Sequence, residues 1–519
     1  MTNDRNKTIQ HGITSGVTMV MLVLLLALSA DAQLTASWFR VYGGSSEDYG
    51  KDVIATSDGG FAAVGITKSF AEPTGDIAVL KVGDIGQYEW GRTFGRNSLD
   101  NGKELVQTAD GGFVVCGYAF SFGTGPGDRE AVVFKIDASG ERIWGNAYGG
   151  PGTDTAFDLV AMEGGGFYSA GDYEFTSTGA RSTYLHRLDE DGGTVWEVIV
   201  GDDTIDERTF TGCQLSNSDL VYAGWRRVQI GLMPDFVFGA VDTSGNELWD
   251  TSFGFDGLDI IRRVRPLPTG GFIAIGETDL QFGTENEHTD LFIAKFTETG
   301  DTSWTRQVGT SGDEDCNSLE ITSEGDILIG GSTRGGYSDS WDVYVVKMDT
   351  LGNLIYDWSH YTPDLEFGRG ICESSPGEYV ITGKTTHNTD AAGSLFLFRV
   401  FEPEPDPSER PNTKQTAGDN LIAGQSDETG LPRYTLKPVT PNPTNAGAVV
   451  TLQLPEAGHV NAVVYNSLGR EVMVLNNGVM TAGTHQFALV GDNLASGVYF
   501  VRAVVPGQLD AIQRVTIVR

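Results

Sequence analysis

The apolar residues of this chain fall into short runs that are separated by glycine-rich turns. Residues 131–136 form one run, Asp137-Ala138-Ser139-Gly140 follows, and a second run occupies residues 142–148. Two short runs joined by such a turn predict a β-hairpin. The tryptophan of this hairpin recurs along the chain, at Trp38, Trp90, Trp144, Trp196, Trp249, Trp304 and Trp358.

The interval between successive tryptophans is nearly constant, with gaps of 52, 54, 52, 53, 55 and 54 residues. Each interval repeats one order of elements. In the first interval, the runs 52–56 and 61–65 flank the turn Asp58-Gly59-Gly60, and a Ser/Gly-rich loop leads to a third run at 76–81. Asp-Gly favours a type I′ hairpin turn, which requires positive φ at both central residues. With the tryptophan strand, each unit is predicted to hold four strands.

Seven of these units can be counted from the turns and from the third strands. A repeat of about 53 residues with four strands is typical of a β-propeller, in which each unit forms one blade. The glycine content, 69 residues, also suits an all-β protein. We therefore predict an all-β chain with a seven-bladed β-propeller over residues 33–402.

The repeat unit is split between the two ends of this region, and this predicts how the propeller closes. The region opens with a lone tryptophan strand at 38–41, and its last unit ends on a third strand at 395–400. The first strand is therefore predicted to complete the last blade, which removes two exposed sheet edges. The seven tryptophans are predicted to be structural, each filling the gap against a neighbouring blade.

The long connections of each unit share one face of the predicted propeller, where binding residues are expected. An acid recurs there ten or eleven residues after six of the seven tryptophans, at Asp48, Asp100, Asp154, Asp206, Asp259 and Asp315. Aromatic residues recur in the other long loop, at Phe70, Phe122, Phe175, Phe282 and Tyr337. One interpretation is an acidic ring at the channel mouth that holds Ca²⁺ or a cationic group, with aromatics for a sugar or peptide. The other is that the acids cap turns and the aromatics fill loop roots, because one acid per blade is too few for calcium.

Composition excludes several classes of function. The 35 basic and 70 acidic residues give a net charge of −35, which repels nucleic acid and anionic lipid. The four cysteines are far apart, which favours buried free thiols over a disulfide framework or a zinc site, although one bridge between repeats remains open. The seven histidines show no metal-protease spacing, and no nucleophile elbow or phosphate-binding loop occurs. We predict no catalytic residue and no cofactor-binding residue.

The first 32 residues have the features of a secretory signal peptide. Arg5 and Lys7 precede an apolar run at 17–28, and Ala30-Asp31-Ala32 supplies a cleavage site. The run is shorter than the ~20 residues that span a bilayer as a helix, so we predict export and no membrane span in the mature chain.

A linker and a second domain follow the propeller region. Alternating acids and prolines begin at Glu402, and residues 403–433 are predicted to form an extended spacer. From residue 434 short strands return, at 448–454, 460–465, 471–475, 484–489, 497–504 and 512–518. They predict a small C-terminal β-sandwich over residues 434–519.

Several motifs give this domain a resemblance to a known family. They are Pro441-Asn442-Pro443, the block Leu468-Gly469-Arg470-Glu471-Val472, the block Ala495-Ser496-Gly497-Val498-Tyr499-Phe500 and the basic end at 514–519. In order and spacing they resemble the C-terminal sorting domain of type IX secretion substrates, with Thr444 where a phenylalanine is usual. The resemblance implies recognition by the type IX secretion machinery, and delivery to the cell surface or the medium.

Two weaker resemblances concern the repeats. The turns at 137–144 and 242–249 resemble the tryptophan-docking turns of pyrroloquinoline quinone dehydrogenases, but the adjacent cysteine pair of those enzymes is absent. The whole unit is more similar to the uncharacterised repeats of secreted bacterial propellers. We therefore expect a non-catalytic extracellular binding or adhesion module for a glycan or protein. The alternative is a polysaccharide hydrolase or lyase with its site at the channel mouth.

Overall fold

The computed structural model describes most of the chain between residues 34 and 517. It covers residues 34–402, apart from 71–73, 122–128, 228–232, 255–256, 279–287, 311, 335–339 and 388–392, and residues 435–517, apart from 438–446, 456, 467–470, 491–496 and 506–508. The two stretches belong to two separate compact units. The predicted signal peptide at 1–32 and the predicted linker at 403–433 lie outside the described residues. Within the described residues, no helix is long and apolar enough to cross a membrane.

The N-terminal unit consists of four-stranded antiparallel sheets, six of them built from consecutive hairpins. Tight glycine turns join the first to the second strand and the third to the fourth, as the repeat predicted. Sheets 1 to 3 are β2 (Asp48–Ala55), β3 (Phe61–Thr67), β4 (Asp76–Val82), β5 (Tyr88–Phe94); β6 (Asp100–Gln107), β7 (Phe113–Ala119), β8 (Glu130–Ile136), β9 (Arg142–Tyr148); and β10 (Thr155–Ala161), β11 (Phe167–Glu174), β12 (Arg181–Leu188), β13 (Thr194–Val200).

The next three sheets repeat this order, and the seventh combines both ends of the unit. Sheets 4 to 6 are β14 (Asp206–Gln214), β15 (Leu220–Arg227), β16 (Asp235–Val241), β17 (Glu247–Phe253); β18 (Asp259–Pro266), β19 (Phe272–Thr278), β20 (Asp290–Phe296), β21 (Thr302–Val308); and β22 (Asp313–Ile321), β23 (Ile327–Arg334), β24 (Trp341–Met348), β25 (Leu354–His360). Sheet 7 is β26 (Glu366–Ser375), β27 (Glu378–Thr385), β28 (Ser394–Phe401) and β1 (Thr35–Tyr42).

Consecutive sheets pack through their first strands. β2 lies against β6, and the same contact continues through β10, β14, β18 and β22 to β26, which in turn lies against β2. The space that these strands surround is called the channel below. The interiors between sheets are filled by the second and third strands, in which nearly every side chain is buried.

The first strand of the unit pairs with the last, as the phase of the repeat predicted. β1 is antiparallel to β28, with Trp38 opposite Arg399 and Tyr42 opposite Leu395. Phe39 anchors this pairing, because its ring stacks on Phe396 at 5.2 Å between centroids.

Every first strand carries a β-bulge at the same place. The register with the second strand shifts by one residue, which leaves one extra residue in the first strand. These seven bulge residues are Lys51, Lys103, Phe157, Phe210, Arg262, Asn317 and Arg369. All seven are half-buried, although they lie in the middle of largely buried strands.

Six of the seven tryptophans pack on a glycine in the tight turn of the next sheet. A Cβ on Gly192 would lie 2.7 Å from Trp144, and the indole nitrogen of Trp144 donates to the Glu190 carbonyl at 3.2 Å. The six pairs are Trp38–Gly86, Trp90–Gly140, Trp144–Gly192, Trp196–Gly245, Trp249–Gly300 and Trp304–Gly352. Every one of these glycines has positive φ, so the turn both requires glycine and makes room for the indole.

Trp358 differs because the third and fourth strands of sheet 7 come from opposite ends of the unit and no turn joins them. Its ring lies 6.0 Å from Phe398 and 5.7 Å from His360. Glu402, next to the end of β28, accepts hydrogen bonds from Tyr356 at 2.9 Å and Tyr379 at 2.6 Å.

The C-terminal unit has two sheets that share one apolar core. The strands are β29 (Thr435–Leu436), β30 (Gly447–Leu454), β31 (Gly458–Asn466), β32 (Glu471–Met480), β33 (Gly483–Val490), β34 (Gly497–Val505) and β35 (Leu509–Ile517). One sheet has the order β29-β30-β33 and the other β32-β31-β34-β35. Val450, Leu452, Val464 and Val501 are fully buried in the shared core. The six predicted strands are therefore present.

Deleting residues 34–43 removes β1 and exposes the edge of β28. We expect the melting temperature to fall by several degrees and the protein to associate, because an unpaired edge pairs with other chains. Differential scanning calorimetry and size-exclusion chromatography measure both effects. Arg40→Ala, which changes an exposed residue of the same strand, serves as the control. A shortened chain with an unchanged melting temperature would contradict the closing role of β1.

Gly192→Ala and Gly164→Ala separate tryptophan packing from backbone strain. Both glycines have positive φ, but a Cβ on Gly164 meets nothing within 4 Å. We expect a loss of ~1–2 kcal/mol for Gly164→Ala from backbone strain, and roughly 1–3 kcal/mol more for Gly192→Ala from the clash with Trp144. Chemical denaturation measures both values. Equal losses would mean that the tryptophan contact contributes nothing.

Candidate functional site

The six predicted acids do not share one environment. Counting three residues back from each bulge residue gives the equivalent position in every sheet. That position holds Asp48, Asp100, Asp154, Glu207, Asp259, Glu314 and Glu366, all of them buried. Asp206 and Asp315 are half-buried neighbours of the equivalent residues Glu207 and Glu314. The sequence prediction missed Glu366, since only aspartates at a fixed distance from the tryptophan were considered.

The buried acids tie the long loops to the first strands. One carboxylate oxygen of Asp48 accepts from the Gly44 backbone N–H at 3.0 Å, and the other accepts from the Thr67 hydroxyl at 2.5 Å. The two carboxylate oxygens of Asp154 likewise accept one hydrogen bond each, from the backbone N–H of Gly150 at 2.7 Å and from that of Glu174 at 2.9 Å. The capping interpretation describes these contacts, because the carboxylates bind local donors within their own sheet.

Burial changes the protonation of several of these acids. It raises the pKa of Asp154 to about 6 and that of Glu314 to about 7, although hydrogen-bond donors oppose the shift. In the described part of the chain, no group of three or more His, Cys, Asp or Glu is arranged to hold a metal ion. Calcium binding stays a prediction of the sequence.

The predicted aromatic series is only partly within the described residues. Phe122, Phe282 and Tyr337 lie outside them. Phe70 is exposed, and Phe175 is half-buried with its ring edge-to-face on Tyr173 at 5.3 Å. These two residues do not share an environment.

The side chains that meet in the channel are those of the bulge residues, which we call the bulge ring. Lys103 lies over the ring of Phe157 at 5.2 Å, Phe157 packs edge-to-face on Phe210 at 5.0 Å, and Arg262 lies over Phe210 at 5.4 Å. Arg369 donates to the side-chain oxygen of Asn317 at 2.8 Å. Residues from neighbouring sheets therefore contact one another around the channel.

Four of the seven members of the bulge ring are cations, in a protein whose net charge is −35. Arg262 is paired with Glu277 at 2.9 Å, and Arg369 lies 3.5 Å from Asp315. Burial, the opposing pull of Arg262 and the repulsion of Asp315 together set the pKa of Glu277 at about 7. The opening that the bulge ring surrounds, called the channel mouth below, is therefore lined by cations and aromatic rings, and Glu277 and Asp315 are the acids paired with its arginines.

Lys51 and Lys103 make no ion pair or hydrogen bond within the described residues. Lys51 lies 5.0 Å from the ring of Tyr49, and Lys103 lies 5.2 Å from the ring of Phe157 and 5.3 Å from that of Tyr118. Burial and neighbouring cations hold the pKa of Lys51 well below its usual value and lower that of Lys103 to about 8.

Ion pairs cross the channel next to the bulge ring. Glu104 on β6 contacts Arg263 at 3.1 Å and Arg265 at 2.8 Å, both on β18 in sheet 5. Arg265 also lies 3.3 Å from Asp158 on β10. Sheets 2, 3 and 5 are thereby linked through the middle of the channel, so we call this group the channel floor.

The channel floor contains carboxyls with altered protonation. Burial and the carboxylates Asp52 and Asp158 raise the pKa of Glu104 well above its usual range. Burial would also raise the pKa of Asp158, but Arg265 and Arg263 outweigh it and lower that pKa. Burial raises the pKa of Asp52 to about 6 and that of Glu320 to about 7.

Inter-sheet hydrogen bonds hold the floor in place. Asp158 accepts from the backbone N–H of Gly212 in the next sheet at 3.0 Å. The Thr211 hydroxyl accepts from the backbone N–H of Val264 at 2.9 Å, and the Ser318 hydroxyl accepts from that of Ile371 at 3.1 Å. A polar residue directly after the bulge residue thus binds the backbone of the following first strand.

All four cysteines are buried free thiols, in agreement with the expectation from their spacing.

A family comparison identifies the C-terminal unit. Residues 438–517 match the family described as the secretion system C-terminal sorting domain. The chain carries a secretion sorting domain. This confirms the resemblance of the 441–443, 468–472 and 495–500 motifs. No curated protein matches the chain significantly in sequence.

Several solved structures are similar to the chain at low identity. A protein of unknown function from Dyadobacter fermentans has 10% identity, covers 71% of this chain and 99% of its own, with a TM-score of 0.40. The Pan2 WD40 domain of Neurospora crassa has 9% identity, with 72% and 98% coverage and a TM-score of 0.45. PorZ of Porphyromonas gingivalis, described as an essential surface component of the type-IX secretion system, has 11% identity, 93% and 75% coverage and a TM-score of 0.33. All three TM-scores are below 0.5, so the description of the fold rests on the sheets themselves.

Glu320→Gln tests the protonation of the channel floor. A carboxyl whose pKa is raised from 4.5 to about 7 on folding stabilises the protein at low pH, and this contribution is lost as pH rises through about 7. We therefore expect Glu320→Gln to stabilise the protein at pH 8 by roughly 1–3 kcal/mol and to have little effect at pH 5. Thermal unfolding at both pH values measures the difference. Glu163→Gln, in an exposed turn, is the control, and a variant effect independent of pH would contradict the prediction.

Proposed function

We propose that the chain is a secreted or cell-surface binding module that the type IX secretion machinery exports through its C-terminal domain. In this proposal the seven sheets are the blades of one closed propeller, residues 1–32 are a cleaved signal peptide, and the ligand binds at the channel mouth. The match of residues 438–517 to a sorting domain supports the export step.

The bulge ring is the single observation that carries the binding role. It places seven different half-buried side chains, one from each sheet, around one opening. Repeated residues such as the buried acids and tryptophans have structural contacts in each sheet. The bulge residues are of four types, lysine, phenylalanine, arginine and asparagine, and such variation at an equivalent position distinguishes a site from a repeat.

A polysaccharide hydrolase or lyase is the second candidate. The observation that favours it is Glu277 at the channel mouth, because a carboxyl with a pKa of about 7 is suited to general acid chemistry. Glu277 is engaged by Arg262 through two hydrogen bonds of 3.0 and 2.9 Å, and a proton donor has to release such a partner before it acts. Binding without turnover is therefore the favoured role.

Removing residues 435–519 tests the export route. In a bacterium with a type IX system, we expect the shortened chain to accumulate in the periplasm, because the signal that directs it across the outer membrane is lost. Cell fractionation followed by immunoblotting measures its location. The full chain with Leu351→Ala is the control, and surface delivery of the shortened chain would refute the proposed route.

A glycan array combined with a hydrolysis screen on the purified full chain tests the binding role. Phe157→Ala alters the bulge ring, whereas Leu351→Ala alters an exposed apolar residue in a tight turn. We expect Phe157→Ala to weaken binding at least tenfold and Leu351→Ala to have no effect. Release of sugar products would replace the binding role by the enzymatic one. Equal binding by both variants would remove the channel mouth as the site.

A further inference from the structure

The unpaired lysines of the bulge ring call for an anionic partner. A half-buried ammonium group without an ion pair is unfavourable, because it has lost part of its hydration and gained no directly bound charge. Lys51 and Lys103 are two such groups on adjacent first strands. The cations Arg129, Arg263 and Arg369 act on them against the acids Asp315 and Asp172, so cations outnumber acids around the two lysines.

The aromatic rings at the channel mouth contact the cations and hold them in position. Tyr118 has Lys103 at 5.3 Å and Arg129 at 4.6 Å from its ring centroid, and Phe157 also carries Lys103. A ring face that is covered by a cation cannot stack on a neutral sugar. Recognition at this place therefore depends on charge, with the aromatic rings holding the ammonium and guanidinium groups in position.

The channel floor limits how far a ligand can enter. The ion pairs from Glu104 to Arg263 and Arg265 cross the channel beside the ring and leave these arginines engaged. A ligand that enters from the long-loop face meets Lys51 and Lys103 before it meets the floor. The site therefore suits an anionic group at the end of a chain or on a side branch.

Neutral polar groups around the lysines suit a hydroxyl-rich ligand. Tyr49 and Asn101 on neighbouring first strands are within 3.4 Å of each other, and Asn317 lies further around the ring. Amide and phenol groups both donate and accept, as sugar hydroxyls require. A peptide is usually bound by a free sheet edge or an apolar groove, and β2 and β6 are edge strands of their sheets, so an acidic peptide is included below as an outcome of the test.

We propose that the bulge ring binds an acidic sugar, whose carboxylate or sulfate group is held between Lys51 and Lys103. This inference rests on the proposed binding function and names the class of ligand. Arg369 adds a third positive charge, and Asn101 and Asn317 are placed to bind hydroxyl groups. The two lysines act as binding residues with no chemical step.

Binding of an anion has a measurable consequence for protons. An anionic group beside Lys103 opposes the burial and the neighbouring cations that lower its pKa to about 8, so the complex takes up protons near that pH. Deprotonation of Lys103 weakens binding at higher pH. The groups that act on the two lysines are Arg129, Asp172, Arg263, Asp315 and Arg369, and Lys103 also acts on Lys51.

Isothermal titration calorimetry of the full chain tests the proposal with three probes: trigalacturonate, a sulfated glucose trisaccharide and neutral maltotriose. Titrations in HEPES and in Tris, which differ in ionisation enthalpy and add no small anion that competes strongly for the site, report proton uptake. We expect an acidic probe to bind at least tenfold more tightly than maltotriose, with proton uptake, and its affinity to fall from pH 7 to pH 9. Binding of only one acidic probe identifies the anionic group as carboxylate or sulfate.

Charge-neutral variants locate the site. Lys51→Gln and Lys103→Gln should each weaken binding of the acidic probe at least tenfold and reduce proton uptake, while Lys51→Arg should retain binding. Lys135→Gln, which removes an equal charge paired with Asp110 in another part of sheet 2, is the matched control. Circular dichroism and the melting temperature confirm that each variant is folded.

The remaining outcomes distinguish failure of the acidic-sugar proposal from failure of the channel mouth as a binding site. If maltotriose binds as tightly as the acidic probes and Phe157→Ala abolishes it, the channel mouth is a binding site but the acidic-sugar proposal is overturned. If no probe binds, or no mouth variant changes binding, both the proposal and the mouth as a site for glycans are overturned. Tighter binding of a triglutamate peptide than of either acidic sugar would overturn the sugar assignment.

Discussion

The contact between a tryptophan and the turn glycine of the next sheet sets the spacing of the sheets. An indole needs a flat surface without a Cβ, and a turn residue with positive φ provides it, so one residue pair meets two constraints at once. Trp144 on Gly192 shows the arrangement, including the hydrogen bond from the indole to the turn. The contact recurs at six places, so six pairs of neighbouring sheets pack through the same interaction, and the first strands meet around the channel.

The bulge in each first strand uses this regular scaffold to present a variable residue. A regular strand between packed sheets would bury its side chains, but the extra residue of a bulge interrupts the alternation and leaves its side chain half-buried. Hydrogen bonds from Asp158 to Gly212 and from Thr211 to Val264 fix the backbone beside the bulges. The channel can therefore carry lysine, phenylalanine or asparagine without any change to the interfaces between sheets.

The sequence predicts the parts of this structure that depend on local patterns. The turn residues and the tryptophan spacing predict the strands and the pairing of β1 with β28. Both predictions depend on residues that recur at nearly fixed spacing. The bulge positions were not predictable, since residues as different as Lys103, Phe210 and Asn317 occupy them. The equivalent acid in each sheet could not be assigned from the sequence for a related reason. Glu207 and Glu314 replace aspartate at this position, and their distance from the preceding tryptophan varies. The ion pair between Glu104 and Arg263 joins residues far apart in sequence, which no local pattern indicates.

The pairing of β1 with β28 has a consequence for the order of folding. Six sheets consist of consecutive strands, so each can form as soon as its own segment is free to fold. Sheet 7 instead joins residue 35 to residue 401 and must wait until almost the whole unit is present. Such a distant contact is slow to form, because closing a long loop loses chain entropy before any interaction compensates. The last step of folding is therefore the capture of the first strand, and until then the edge of β28 stays unpaired.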